Sequence, residues 1–468
     1  MLSTGKYPPP RIARSPAGPS GLPVLGQVRE AQRDFLGAAT RWAREYGDLV
    51  PLTFAGQAAL LVSHPDLVEE VLVTRNQDYV KGPSLQRTRS FIGNGLVVSE
   101  GEFWRRQRRL MQPAFHRDRI AAYAEDMVAA AGRHLAGWRD GEVRAINHEM
   151  MGLTLQIVAR ALFHAEVTPE VAAIGAATDT ILAHIQSRIE NVLLFFLSDS
   201  VPTPGNRRYQ RAVRRLEETV YRVIDERRSG GRAVEDTGDL LSTLLLARDD
   251  DGRPMTRVQL RDELMTLFLA GHETTALTLS WAIFLLAQHP AAYERLLAEV
   301  DGALGGTHGR PPTAADLPHL AYTRGVIDEA LRLYPPAAAV TRQAIRDTEV
   351  AGVRLPRRGQ AIASQWVLHR DPRYFDDPDE FRPERWLAME GEEPLAKRLP
   401  RFAFFPFGGG QRQCIGAGFA LTEAALLLAA VSQRFRLELV PGQTIVPKLS
   451  FTLRPSAPIY VVLHARAA

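Results

Sequence analysis

The chain has 468 residues, 45% of them hydrophobic and 24% charged, a balance that excludes a disordered or collagen-like polymer and allows one large fold or two to three domains. A net charge of +4, with basic and acidic residues mixed along the chain, is too weak a bias to argue for nucleic acid. The one cysteine, Cys414, excludes an internal disulfide and any multi-cysteine metal site.

In chain order, residues 1–14 are polar and proline-rich rather than signal-like, and residues 16–23 form a stiff, turn-rich entry. No window approaches eighteen consecutive apolar residues, so no transmembrane anchor is expected and the location is read as cytoplasmic. Residues 33–46 have helical periodicity. Residues 48–63 read as a hairpin turning at Ala55-Gly56-Gln57, His64-Pro65 opens another helix, and residues 81–100 read as loop. From Gly101 helices dominate past residue 300, interrupted by a surface loop expected at residues 228–232. The longest pattern runs from Arg257 to about His289. Thr256 and Gln259 have capping-box spacing at its start, and His289-Pro290 ends it. At 1.5 Å per residue it spans about 50 Å. Its apolar residues surround it from Leu264 to Leu286, as in a core helix, yet a polar run sits at its middle. Short strands are expected over residues 341–366 and after Phe435. The fold class is mainly α with small accessory β-sheets.

Residues 404–418 read Phe-Phe-Pro-Phe-Gly-Gly-Gly-Gln-Arg-Gln-Cys-Ile-Gly-Ala-Gly, and a helical run over 419–435 follows. Glycines let the backbone approach a flat cofactor. A helix N-terminus just beyond Cys414 favours a thiolate, and Arg412 can hold an anionic group nearby. A thiolate that pushes electron density onto iron favours O–O cleavage, a task that a structural cysteine lacks. The pattern Phe407-x-x-Gly410-x-Arg412-x-Cys414-x-Gly416 resembles the cysteine-ligand loop of the cytochrome P450 family, and the resemblance extends from about Pro16 to Arg466. It implies the P450 fold as a single haem-thiolate monooxygenase domain over residues 1–468, with residues 1–28 as entry segment. It also implies haem b as cofactor, Cys414 as the only protein ligand to the iron, and Phe407, Gly408 and Gly416 against the haem.

Further motifs stand in family order. Glu329 and Arg332 share one helical face at i, i+3; alone, such a pair is usually a solvated salt bridge. With Phe381-Arg-Pro-Glu-Arg385-Trp some fifty residues on, the resemblance implies a buried structural network of Glu329, Arg332 and Arg385. Trp104 and Arg108 project together at i, i+4. By resemblance they meet a haem propionate, as do Arg342 and Arg412, because buried carboxylates need partners. Ala270-Gly271-His272-Glu273-Thr274-Thr275 lies mid-way along the long helix. Small residues there would let the helix cross the haem face, and a threonine hydroxyl can open a helix locally. The resemblance makes Glu273 and Thr274 the acid–alcohol pair of an oxygen-binding kink, delivering protons to the distal oxygen; otherwise Thr274 is a helix-bending residue. His272 reads as a structural or solvent-facing histidine rather than a ligand, and residues 369–375 as a packing meander.

Substrate would be enclosed by residues 84–98, 181–203, 265–270 and 337–340 and a turn near Phe451. Phe91, Ile92, Leu96, Val97, Leu193, Leu194, Phe195, Phe196 and Ala337 to Ala339 make these segments apolar, which suits a small lipophilic substrate or plain core. No flavin or iron–sulfur domain and no glycine-rich dinucleotide motif is present. Electrons are therefore expected from a ferredoxin or flavodoxin and its reductase, with NAD(P)H acting only indirectly. Arg105, Arg106 and Arg109 would offer a basic patch to such an acidic partner, or form a solvated face. The expected activity is hydroxylation or epoxidation of a fatty acid, terpenoid or polyketide-like compound. A peroxide-driven peroxygenase is disfavoured because the acid–alcohol pair is kept, and a haem gas sensor because it would need a signalling domain.

Overall fold

The computed structural model describes residues 7–12, 18–163, 169–190, 198–229, 235–388, 391 and 393–466. The chain forms two compact units, Met1–Gln86 with Asp328–Cys414, and Arg87–Ile327 with Ile415–Ala468. The named strands are β1 (Leu49–Phe54), β2 (Gln57–Val62), β3 (Tyr79–Lys81), β4 (Val143–Ala145), β5 (Val340–Ala344), β6 (Thr348–Val350), β7 (Val353–Leu355), β8 (Gln360–Ala363), β9 (Phe435–Leu439), β10 (Pro447–Leu449), β11 (Leu453–Pro455) and β12 (Tyr460–Ala465).

The first unit is built on a five-stranded sheet ordered β1-β2-β8-β5-β3, with β6-β7 as a separate hairpin. β1 and β2 turn through Ala55 (φ 48°) and Gly56 (φ 78°), two consecutive left-handed residues whose twist matches that of the strands they join. Strand alternation then divides the core. Leu49, Leu60 and Val62 join one apolar cluster, while Val50, Leu52, Ala59 and Leu61 join another with Ala38, Ala39, Trp42 and Ala43. Those last four come from the helix Val28–Tyr46, which starts earlier than its periodicity suggests. Asp34 breaks the helix (φ −161°, ψ 84°) and its Oδ1 accepts the Gly37 N–H at 2.9 Å, so the regular pattern begins only after this internal cap. The stretch expected to be loop holds the last residue of β3 and the helical turns Pro83–Gln86 and Arg89–Ile92, too short to show a period.

Glu329 lies at the centre of this unit, with no exposed surface. Arg332 donates to both its oxygens at 2.8 Å, Arg385 Nε at 3.0 Å, the Arg382 N–H at 3.0 Å and Trp386 Nε1 at 2.8 Å. Burial opposes the charge, but these donors and the two guanidiniums hold the carboxyl below its ordinary pKa. Arg332, equally buried, spends its remaining donors on the backbone carbonyls of His369 (2.9 Å), Pro378 (2.5 Å) and Glu380 (2.9 Å).

In the second unit the helix Arg257–Gln288 is capped as its sequence suggests. Thr256 Oγ1 accepts the Gln259 N–H at 3.2 Å, and Gln259 Oε1 accepts the Thr256 N–H at 2.9 Å. Pro290 begins the next helix. The central helix packs against Ile146–Phe163, Pro204–Ser229, Leu240–Leu246 and Ala417–Arg434, which accounts for its burial on nearly every side. The strands β4-β12-β9 and the β10-β11 hairpin complete this unit. Arg228 and Ser229, expected in a loop, end the helix Pro204–Ser229; residues 230–232 lie outside the described residues. Among the described residues no helix is long and apolar enough to cross a membrane.

Replacing Glu329 with Ala strands Arg332 in the core. The expected loss is about 3–5 kcal/mol of stability, read by urea denaturation; a loss below about 1 kcal/mol would show that the pair behaves as a solvated one.

Candidate active site

The loop that carries Cys414 is tied to itself by backbone bonds. Gly408 N–H donates to Phe405 O (2.9 Å), Gln413 N–H to Gly410 O (3.2 Å) and Cys414 N–H to Phe407 O (3.0 Å). Gly410 has φ 67°, and a Cβ there would overlap the Leu72 carbonyl oxygen, so the turn requires glycine. His369, which the sequence suggests only as packing, anchors the start of the loop. Its Nε2 accepts the Phe405 N–H at 3.0 Å. Burial, then the charges of Arg332 and Arg370, push its pKa well down, which keeps the ring neutral and able to accept. Bonds thus run from Glu329 through Arg332 and His369 to the cysteine loop. Cys414 itself is exposed, and the helix Ala417–Arg434 begins three residues later. Arg412 is half-buried beside it, and Arg342 on β5 is 6% exposed.

In the second unit Trp104 is buried and Arg108 half-buried on the helix Gly101–Met111; Arg108 Nε donates to Gln112 at 3.1 Å. The central helix, buried almost throughout, is uncovered along one strip. Ala270 is exposed, and Leu267, Gly271 and Thr274 are half-buried, a spacing that places them on one face. The two small residues differ in task. A Cβ on Gly271 would press on Val158 Cγ2 at 3.1 Å, so Gly271 admits the neighbouring helix, and Ala270 is the residue left open. The helix runs unbroken through this stretch; the expected opening is absent. Hydroxyls instead take its carbonyls as second acceptor bonds: Thr274 on Ala270 O (2.9 Å), Thr278 on Thr274 O (2.9 Å) and Thr154, from a neighbouring helix, on His272 O (2.9 Å).

Glu273 and Thr274 have different partners. Glu273 Oε1 accepts Thr452 Oγ1 and Arg454 Nε, both at 2.7 Å, and is buried; only Thr274 reaches the uncovered strip. His272 is buried with Nδ1 3.0 Å from Phe268 O, and desolvation lowers its pKa, so it is structural. Two buried glutamates are not singled out by the sequence, since each sits in an apolar helix and its surroundings come from distant segments. Glu263 accepts the Leu96 N–H (2.8 Å) and Gln107 Nε2 (2.9 Å), while Asp262 accepts the Asn94 N–H (2.7 Å). Together they fasten the segment that holds Phe91, Ile92 and Leu96, all buried. Desolvation raises Glu263 to about 7. Glu423 is fully buried, and neither carboxyl oxygen has a hydrogen-bond partner among the described residues; desolvation raises it to about 8, only partly offset by the Thr275 hydroxyl.

The basic patch on the helix Gly101–Met111 is corrected. Arg105 pairs with Glu102, Arg106 with Asp249 at 2.6 Å and Arg109 with Asp250, so the charges that were to face a partner are neutralised within the chain. Of the apolar residues expected around substrate, Ala337 is exposed, Ala338 buried, and Val97 and Ala339 half-buried; Leu193, Leu194, Phe195 and Phe196 lie outside the described residues.

A lone sulfur donor suits a metal that brings its other ligands with it, as a porphyrin does. The exposed Cys414 on its loop fits such a group; the uncovered strip at Ala270 is a feature of the other unit. The comparisons agree. The family model described as "Cytochrome P450" matches residues 16–463. Cyclooctatin synthase of Streptomyces melanosporofaciens is 40% identical over 97% of this chain and 96% of its own length. Pentalenene oxygenase of Streptomyces avermitilis is 37% identical, over 92% of each chain. A solved structure of cyanobacterial CYP120A1 with retinoic acid bound superposes with a TM-score of 0.82 at 27% identity, covering 96% of this chain and 99% of that one.

Glu423 is expected to be protonated at neutral pH. Its folded pKa lies above the unfolded one, so its contribution to stability is complete below about pH 4.5 and is lost as pH rises through about 8. Glu423→Gln should flatten the fall in stability over that window, which sums to on the order of 5 kcal/mol. It should also remove a protonated-carboxyl stretch from the infrared spectrum at pH 7. An unchanged spectrum and an unchanged pH profile would contradict a neutral Glu423.

Proposed function

Because this chain belongs to the cytochrome P450 family, we propose that Cys414 is the axial ligand of its haem and that Thr274 positions the proton needed to cleave dioxygen during oxidation of a terpenoid. The protein is a haem b-dependent monooxygenase that takes its electrons from a redox partner. The observation that carries the residue assignment is Cys414, the one sulfur available as a thiolate, presented on a loop that is bonded at both ends and opens onto exposed surface. When bound, haem supplies the redox iron at which dioxygen is reduced.

The chain's own residues do the rest. Arg108, Arg342 and Arg412 would neutralise the propionates and Trp104 would donate beside them; Phe407, Gly408 and Gly416 would keep the loop close to the ring. Ala270, exposed on the central helix, would leave room for the ring there. The Thr274 hydroxyl donates to Ala270 O, which turns its lone pairs outward to accept a water. A water held there passes a proton without entering the substrate's volume. Glu273 is bound to Arg454 and Thr452, so proton transfer through its carboxylate requires release from Arg454. In this reading the ion pair holds the acid in reserve beside Thr274.

The substrate class rests on relatives named pentalenene oxygenase and cyclooctat-9-en-7-ol 5-monooxygenase; the latter, from Streptomyces melanosporofaciens, is 39% identical over 94% of this chain. We assign the electron donor to a cytoplasmic ferredoxin or flavodoxin with its NAD(P)H-dependent reductase. Both units, which the family model spans, act as one functional domain.

The test uses terpenoid substrates with an NAD(P)H-fed ferredoxin system, and with hydrogen peroxide alone. The wild-type protein should turn over with the first and poorly with the second. Thr274→Ala should bind haem and consume NAD(P)H normally, yet form product at a rate lower by a factor of about 10²–10⁴, the usual worth of a positioned proton, with peroxide released instead. Wild-type coupling in Thr274→Ala would reduce Thr274 to a helix-bending residue.

A further inference from the structure

The helix Pro204–Ser229 turns Tyr209, Ala212, Val213, Leu216, Val220 and Ile224 inward, all buried. Its outer side begins with five arginines, Arg207, Arg208, Arg211, Arg214 and Arg215, every one exposed. At 100° per residue they fall within an arc of about 120°. None of the five forms an ion pair among the described residues. Some exposed arginines elsewhere do, such as Arg257 with Asp225 at 2.6 Å, Arg354 with Asp347 at 2.7 Å and Arg436 with Glu294, while others, such as Arg29 and Arg133, stand singly rather than in a cluster of five. The sequence from Ser200 to Leu216 contains no acidic residue. Arg207, Gln210, Arg211 and Arg214 line a surface hollow of about 380 Å³. Like charges at i, i+3 and i+4 repel along a helix, so the stretch keeps an unfavourable arrangement that an anion would relieve. The whole chain carries a net charge of only +4, so this concentration is local and not a property of the chain at large.

We infer that this face docks the protein on an anionic phospholipid surface. A specific protein partner is usually held by buried aromatic or apolar anchors within a charged rim. Over Arg207–Arg215 this face offers guanidiniums and one amide, with the exposed Val201 (38%) and the exposed prolines Pro202 and Pro204 at one edge and the exposed Glu218 at the other. Such a surface suits many equivalent phosphates spread in a plane. Guanidinium forks match phosphate oxygens, and each basic residue near an anionic leaflet adds to adhesion within a Debye length. The helix cannot insert as interfacial helices do, because its apolar side is already buried in the protein. Attachment is therefore electrostatic, reversible and sensitive to salt. It would bring the enzyme to the phase in which a lipophilic substrate accumulates; the docking itself does not rest on the substrate assignment.

The test is sedimentation of the haem-loaded protein with vesicles of phosphatidylcholine, with and without phosphatidylglycerol, at low and high salt. The wild-type protein is expected on phosphatidylglycerol vesicles at low salt only. Arg207→Gln/Arg211→Gln/Arg214→Gln should bind them roughly a hundredfold more weakly with an unchanged haem spectrum. Arg354→Gln/Arg436→Gln, which removes two exposed but paired charges, should bind as wild type. Failure of the wild-type protein to bind the anionic vesicles would overturn the inference. So would equal losses in the two variants, which would show a net-charge effect. If the triple variant loses affinity for an acidic ferredoxin while keeping its vesicle binding, the face is a protein site and the inference is wrong.

Discussion

A carboxylate without exposed surface must be surrounded by donors or give up its charge. Glu329 is surrounded, and the unit that holds the cysteine loop depends on how. Its oxygens gather Arg332 from its own helix, and Arg382, Arg385 and Trp386 from a segment more than fifty residues away. Arg332 extends the arrangement to three backbone carbonyls. One of them belongs to His369, whose ring accepts the N–H of Phe405 at the entrance to the loop. The position of Cys414 is thus tied through hydrogen bonds to an ion network in the core. The network is structural, and the sulfur's chemistry follows from where it is held.

The other buried glutamates show the same constraint resolved differently. Glu263 has two neutral donors and a neighbouring acid, Asp262, and burial prevails, raising it to about 7. Glu423 has an apolar surround with a single hydroxyl facing it and rises further, to about 8. Glu329 has two guanidiniums and is lowered. Desolvation is common to all three; the presence of a cation decides the sign. This gives the chain a charged clamp in one unit and, in the other, two acids whose charge burial opposes, Glu263 on the central helix and Glu423 on the helix Ala417–Arg434 packed against it.

What the sequence made legible was what local chemistry controls. The central helix announced both its ends, by a Thr256–Gln259 capping box and by Pro290. The β1–β2 hairpin announced its turn at Ala55-Gly56, and the glycines of the cysteine loop announced a backbone that only glycine can follow. The illegible parts depend on partners far along the chain. Glu273 meets Arg454 across 181 residues, and Arg106 meets Asp249 across 143; no periodicity records either. Gly271 looked like an opening for a cofactor, and its neighbour Val158 shows why it must be small. The early start of the helix Val28–Tyr46 was hidden because Asp34 interrupts the apolar pattern with a cap of its own.

The central claim is that Cys414 binds the haem iron as a thiolate. It is tested most directly by the absorption spectrum of the reduced protein under carbon monoxide, with haem content measured in parallel. The wild-type protein should show the red-shifted band from which the family takes its name. Cys414→His, still loaded with haem, should show the shorter-wavelength band of nitrogen-ligated haem. A haem-loaded Cys414→His variant that keeps the red-shifted band would contradict the account.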